Sequence, residues 1–288
     1  MHLLYPFARR FIAGEDLDTA LRNIFELYRK GFLSTIDFLG ENTRSPEQAE
    51  AAKQEYLHLL EALEAYEFPL DLSVKLTQMG LHISEDLCTR NVEAIIERAG
   101  KHTVRFDMEG SDTTQSIIDI CVRLHRKHGN LGLVLQAYLY RTDQDVDLVL
   151  KEGISTRLCK GAYKEPPDIA YQDMNEIREH FLKLARRLLK EGHQPAMATH
   201  DEYLIREILQ FVKKESIPAD AFFFELLYGV RRDLQQALLD QGYRVRIYVP
   251  YGKAWLPYTL RRLAERKENM AFVIKNLFRE TFGLGRLH

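Results

Sequence analysis

Eight short apolar runs, separated by longer amphipathic segments, constrain this chain more than any other feature. The runs are FLSTIDFLG (32–40), PLDLSVKL (69–76), TVRFDM (103–108), LGLVLQAYLY (131–140), ISTRLCK (154–160), QPAMAT (194–199), AFFFEL (221–226) and YRVRIYV (243–249). Between them lie helical patterns such as SPEQAEAAKQEYLHLLEALEAY, SEDLCTRNVEAIIERAG and DEYLIREILQFVKKE. Ser84 opens one of these like an N-cap and Gly100 follows its end. Strands alternating with helices predict a parallel sheet. Eight such units in 288 residues fit a closed α/β barrel of the (β/α)8 type better than two open sheets. Residues 1–30 are expected as an N-terminal helical arm and 31–288 as the barrel, a single domain overall.

Composition narrows the function. A net charge of −2 gives no support to nucleic-acid binding. Three cysteines without paired or metal-type spacing suit a reduced, cytoplasmic protein. The first residues carry early charges and no long apolar run, unlike a signal peptide, and no segment approaches the ~20 apolar residues of a membrane span. The histidines form no HExxH and no paired metal motif, so no metal site is expected.

In such barrels chemistry sits at the carboxyl ends of the strands. Here those ends carry Lys75, Asp107, Gln136, Arg157 with Lys160, Thr199 with His200, Glu225 and Tyr248. A set mixing acids, bases, an amide and an aromatic is more consistent with a site than with a polar rim. After the last run, YVPYGKAWLPYTLRRLAER (248–266) enters a helical pattern in which Leu256, Leu260, Leu263 and Ala264 form an apolar stripe. Tyr258, Arg261, Arg262 and Glu265 gather opposite. That face reads either as a solvated surface with i, i+4 pairs or as a cationic fork for a small anion. Lys75 and Lys160 also leave open a Schiff-base lyase, and a non-catalytic amino-acid-binding protein is a third reading.

The motifs resemble the proline dehydrogenase family over nearly the whole chain. The matching stretches are ARRFIAGE (8–15), SVKLTQMGL (73–81), RFDMEGSD (105–112), LQAYLYRT (135–142), RLCKGAYKEP (157–166), ATHD (198–201), FELLYGVR (224–231) and YVPYGKAWLPYTLRRLAER. The size is similar to the monofunctional bacterial type. Cys159 stands where the family usually has valine, and Gly110 occupies a variable acidic spot. The resemblance implies a distorted TIM-type barrel with a helix after strand eight over its mouth. It also implies FAD-dependent oxidation of L-proline to Δ1-pyrroline-5-carboxylate by hydride transfer to flavin N5, the first step of proline catabolism to glutamate.

By the same resemblance Arg261 and Arg262 bind the substrate carboxylate, supported by Glu265, and Lys75, Tyr163, Leu227 and Tyr248 line the substrate pocket. Asp107 and Arg157 are the implied catalytic residues. Asp107 orients Lys75 or Tyr248, and Arg157 lies near the flavin N5 edge. Without the resemblance, Arg157 reads as half of a salt bridge with Glu225. Met108, Gln136, Arg157, Lys160, Gly161, Ala162, Thr199 and His200 are implied FAD contacts. No GxGxxG follows a first strand, so a Rossmann cofactor domain is not expected. Electrons are implied to reach a membrane quinone through a peripheral encounter with the inner membrane, with product handed to a separate pyrroline-5-carboxylate dehydrogenase. The run MAFVIKNLFRETFGLGRLH (270–288) reads as a capping helix or as a membrane-facing element.

Overall fold

The structure is a computed structural model that describes residues 8–264, with side chains described through Leu260. All eight expected strands form: β1 Leu33–Phe38, β2 Asp71–Val74, β3 Thr103–Phe106, β4 Leu131–Gln136, β5 Ser155–Cys159, β6 Ala196–Ala198, β7 Phe223–Leu227 and β8 Val245–Tyr251. They pair in parallel in sequence order, and β8 closes on β1. Helices α1 (Leu17–Arg29), α2 (Pro46–Leu63), α3 (Glu85–Ala99), α4 (Ser111–His128), α5 (Thr142–Glu152), α6 (Met174–Glu191), α7 (Glu202–Lys214), α8 (Arg232–Asp240) and α9 (Trp255–Ala264) complete the described elements.

Local chemistry starts many of these helices. Asp16, Ser45, Ser84, Asp173 and Asp201 cap α1, α2, α3, α6 and α7 through side-chain oxygens that accept first-turn N–H groups, which satisfies donors that have no partner inside the helix. The strands are buried on both faces, as parallel strands wrapped by helices must be. Outward residues such as Ile36, Leu72, Val104, Leu133, Leu158 and Ile247 are fully or almost fully covered.

Leu17, Ala20, Leu21 and Ile24 of α1 join the main core with Phe32 and Ile36. Helix α1 contacts β1 and β8. It therefore covers the seam where the barrel closes, and α9 is left to sit elsewhere. Trp255 and Tyr258 of α9 pack instead with Leu39, just past β1, and with Ala8 and Ile12. This places α9 at the carboxyl-end mouth.

The expected apolar stripe of α9 is corrected at Leu260, while Leu256 packs part-buried against Trp255 and Tyr258. Leu260 is 50% exposed while Tyr258 is 6% exposed, so the buried face carries Trp255, Tyr258 and Thr259. Two aromatic rings bury more area than leucines do, and their partners come from the chain's other end, where helical periodicity cannot see them. The side chains of Arg261 and Arg262, all of Glu265, and the 270–288 run lie outside the described residues.

Candidate active site

Polar residues alternate along the inward faces of the strands and meet across the lumen. The lowest group is Asp71 of β2 with Arg105 of β3 and Arg246 of β8. One Asp71 oxygen accepts from Arg105 Nε at 2.9 Å and from Arg246 Nη1 at 2.7 Å. Arg105 is only 1% exposed. Its guanidinium also donates to the Ser155 carbonyl at 2.8 Å. Space for it exists because β4 carries Gly132 opposite, where a Cβ would lie 2.6 Å from Arg105 Nη1. Arg244 and Arg246 each lie over the Phe223 ring, at 3.9 and 3.8 Å from its centroid, a favourable use of the ring's negative face.

One level up, Arg157 of β5 reaches across the barrel. Its guanidinium pairs with Glu225 at 2.8 Å and Asp107 at 2.9 Å. It also donates to Ser73 Oγ at 3.1 Å and Thr35 Oγ1 at 3.3 Å. The Glu225 salt bridge read from the sequence is present, and the same guanidinium also pairs with Asp107.

At the mouth Lys75, just beyond β2, donates to Asp37 at 2.8 Å, Asp107 at 3.0 Å and Tyr248 Oη at 3.4 Å. Tyr248 in turn donates to Asp107 at 2.9 Å, and the hydroxyl of Ser73 donates to the other Asp107 oxygen. Asp107 therefore engages Lys75, Tyr248, Arg157 and Ser73 together. It thus bonds both of the residues given as its alternative partners from the sequence, Lys75 and Tyr248.

This arrangement fixes charge. Burial alone raises the Asp107 carboxyl's pKa, but Lys75 and Arg157 more than offset that and hold it down at about 2. Burial alone lowers Lys75, yet Asp37, Tyr248 and Asp107 push it well above the ordinary lysine range. Burial, with the nearby Asp107 and Asp37 charges, raises the Tyr248 phenol. Asp37 shifts the opposite way to Asp107, raised because burial outweighs the attraction of Lys75. At neutral pH Lys75 is an ammonium, which is the opposite of what a Schiff-base nucleophile requires.

The other expected positions surround this group at the strand ends. Met108 follows Asp107 and is buried. Gln136 ends β4; its Nε2 donates to the Glu109 carbonyl at 3.0 Å and its Oε1 accepts from Ala162 N at 3.2 Å. After β5 come Lys160, paired to Asp201 at 3.2 Å, exposed Gly161 and Ala162, and half-buried Tyr163. Thr199 is buried after β6, and His200 Nε2 accepts from Leu227 N at 3.0 Å. Leu227 is half-buried at the end of β7.

Sequence reading missed Asp37, Ser73 and Thr35 in this network, the Asp71–Arg105–Arg246 group below it, and Glu109. Buried Glu109 accepts from Thr77 N at 3.0 Å and from the Thr77 hydroxyl. A signal was present: Thr35 and Asp37, Asp71, Ser73 and Lys75, and Arg105 and Asp107 recur at the two-residue strand period. Inspecting strand ends alone passes over it.

Comparison with known proteins agrees with this architecture. A proline dehydrogenase family model matches residues 20–275. Proline dehydrogenase 1 of Bacillus subtilis subsp. natto is 38% identical over 95% of this chain and 91% of its own. Proline dehydrogenase of Deinococcus radiodurans is 35% identical over 96% and 91%. Among solved structures, proline utilization A from Bdellovibrio bacteriovorus inactivated by N-propargylglycine superimposes with a TM-score of 0.83 at 24% identity, over 91% of this chain. This chain spans 33% of that longer protein, and the likeness bears on the fold. The family match, the full-length relatives and the barrel agree, and the chain is an enzyme of the proline dehydrogenase family.

Proposed function

We propose that the chain oxidises L-proline to Δ1-pyrroline-5-carboxylate with FAD as the electron acceptor, the electrons leaving to a membrane quinone. The observation that carries this reading is the locked charge pattern at the mouth. Lys75 is held cationic, Asp107 anionic and Tyr248 neutral, each tied to the next within 3.4 Å. Such a site orients and stabilises charge rather than exchanging protons near neutral pH. Oxidising a secondary amine needs the substrate held by its carboxylate, its nitrogen neutral and water excluded.

The residues present fit FAD. On the β4–β6 side of the mouth the strand ends turn to Gly161, Ala162 and Thr199, and the first two are open to solvent. Cationic Lys160 and buried Arg157 suit the anionic pyrophosphate and the electron-rich ring of that cofactor, and Arg157 Nε has no partner among the described protein groups. Met108, Gln136, Arg157, Lys160, Gly161, Ala162, Thr199 and His200 would hold it. When bound, the flavin supplies a two-electron acceptor.

The chain's own residues do the rest. Arg261 and Arg262 on α9 bind the substrate carboxylate, because guanidinium groups make paired, charge-assisted bonds to it, and Glu265 orients them. Tyr163, Leu227 and Tyr248 wall the ring. The Tyr248 hydroxyl is fixed by Asp107 and Lys75, and Arg157 lies 5.1 Å from its ring centroid, so the aromatic wall is pinned at both ends. Asp107 and Arg157 set the charge beneath the reacting carbon. Burial of the amine in this pocket favours its neutral form, so the proton leaves to solvent as substrate enters. Among the described residues no helix is long and apolar enough to cross a membrane; electron transfer to a quinone then takes a peripheral encounter, and product passes to a separate pyrroline-5-carboxylate dehydrogenase.

Steady-state kinetics of Arg262→Met test the substrate assignment. Loss of a desolvated carboxylate partner typically costs ~2–5 kcal/mol, so KM for proline should rise by at least ~30-fold with a far smaller change in kcat. An unchanged KM would remove Arg262 from the anchor.

A further inference from the structure

The residues ahead of α1 are more than a lead-in to the barrel. Ala8 to Asp16 runs along the mouth, bonded to the end of β8: Ala13 N donates to the Pro250 carbonyl at 2.8 Å, and Gly252 N donates to the Gly14 carbonyl at 3.0 Å. Ala8 and Ile12 pack with Leu39, Trp255 and Tyr258 in an apolar cluster separate from the main core. Trp255 Nε1 donates to the Glu15 carboxylate at 2.6 Å. The segment also beds into the β7–α8 loop at Gly229. There φ is +71°, and a Cβ would fall 1.6 Å from the Arg10 carbonyl oxygen, so no other residue fits without displacing the segment.

These contacts converge on α9. Its buried Trp255 and Tyr258 belong wholly to that second cluster, to which the barrel contributes Leu39 alone among the buried members. The main core, by contrast, gathers side chains from α1 to α8 but, among the described residues, no buried one of α9. We propose that residues 8–16 are a clasp that sets the position of α9 and so of Arg261 and Arg262, making Ile12 and Glu15 positioning residues for the substrate carboxylate. This inference rests on the assignment of those arginines as the anchor. Two guanidinium groups gain paired geometry only when their helix is held in place, and the clasp is what holds the start of this one. Its effect falls on substrate affinity, because the Lys75–Asp107–Arg157 group is fixed by the barrel strands and does not depend on the clasp.

The test uses the full-length, cofactor-loaded enzyme with Ile12→Glu and Glu15→Ala, and Gly229→Ala as a third, independent way to lift the segment. Exposed Arg9 and Arg10 provide a readout separate from activity, since trypsin cleaves after them faster when the clasp is loose. The expected result is faster cleavage together with a rise in KM for proline of about five- to twenty-fold and kcat within about twofold, the pattern of lost ground-state binding. Faster cleavage with KM unmoved, or a lowered melting temperature with KM unmoved, would mean a merely structural role and overturn the clasp. Arg262→Met run alongside separates the two claims. If it raises KM and the clasp variants do not, the clasp alone falls. If it too leaves KM unchanged, the anchor falls and the clasp with it.

Discussion

At the floor of the lumen, Asp71 and Arg105 each have side chains 1% exposed and are closed on one another and on Arg246. At the mouth, Lys75 and Asp107 pair through side chains that are 11% and 12% exposed. Both groups consist of buried charges bridging different strands, but the Asp71–Arg105 pair is sealed, with only the neighbouring Arg246 side chain 11% exposed, whereas at the mouth both paired ions are themselves partly open. Nothing outside the protein can touch the floor pair, so its ions serve only to neutralise one another inside the barrel. The mouth shares its ions among Asp37, Asp107, Tyr248, Ser73, Arg157 and Glu225, so Lys75, Asp107 and Arg157 each have more than one partner. The comparison teaches that burial of charge by itself does not mark a site; redundancy of partners together with access does.

The largest effect that would break this contrast concerns the floor. Asp71→Ala leaves Arg105 without its carboxylate and Arg246 with only Glu225 at 3.8 Å. Uncompensated buried charge typically costs ~3–5 kcal/mol, so the denaturant midpoint should fall steeply; a wild-type midpoint would show that the floor charges are not coupled as described. Asp107→Asn sharpens the other side. Lys75 keeps Asp37 and Arg157 keeps Glu225, so the stability cost at neutral pH should stay near ~1–2 kcal/mol, while kcat/KM for proline falls by at least ~10-fold. If Asp107→Asn destabilised as much as Asp71→Ala and left kcat/KM intact, floor and mouth would not differ.

Tyr248 gives a smaller, more specific effect. On the proposed pocket assignment its ring would leave little room for a 4-hydroxyl group, so hydroxyproline should be a poor substrate of the wild type. Tyr248→Ala should raise the ratio of hydroxyproline to proline turnover. Comparable turnover of both by the unaltered enzyme would contradict the wall assignment.

A further effect appears only in acid. The folded pKa of Asp107 lies at about 2, below the ordinary carboxyl value. Its contribution is therefore fully present above pH ~4 and is lost as pH falls toward 2, amounting to about 2 kcal/mol. Asp107→Asn should flatten that part of the stability curve, measured by denaturant unfolding at successive pH values. An unaltered acid limb would place the low carboxyl elsewhere.

Much of the fold was legible in the sequence because its strands are apolar on the outward face and end at visible breaks. FLSTIDFLG and YRVRIYV announce β1 and β8 whatever their neighbours do. The lumen was legible only at its rim. Lys75, Asp107 and Arg157 were singled out, whereas Asp71, Arg105 and Arg246 were not, although they continue the same two-residue alternation downward. Asp37 sits inside an apolar run where a carboxylate is stable only beside a cation from another strand, and Lys75 lies 38 positions away. Helix α9 shows the other limit. Of its leucines Leu256 stays part-buried while Leu260 is exposed, and Ile12 and Ala8, from the far end of the chain, pack with the buried Trp255 and Tyr258. Periodicity reports what one segment offers, and long-range packing decides which offer is taken.

The most direct measurement of the central claim is an anaerobic absorbance spectrum of the purified protein before and after addition of L-proline. The account predicts the visible bands of oxidised flavin, bleached by proline and not by hydroxyproline. A colourless protein that cannot be reconstituted with FAD, or flavin bands that proline leaves unchanged, would contradict it.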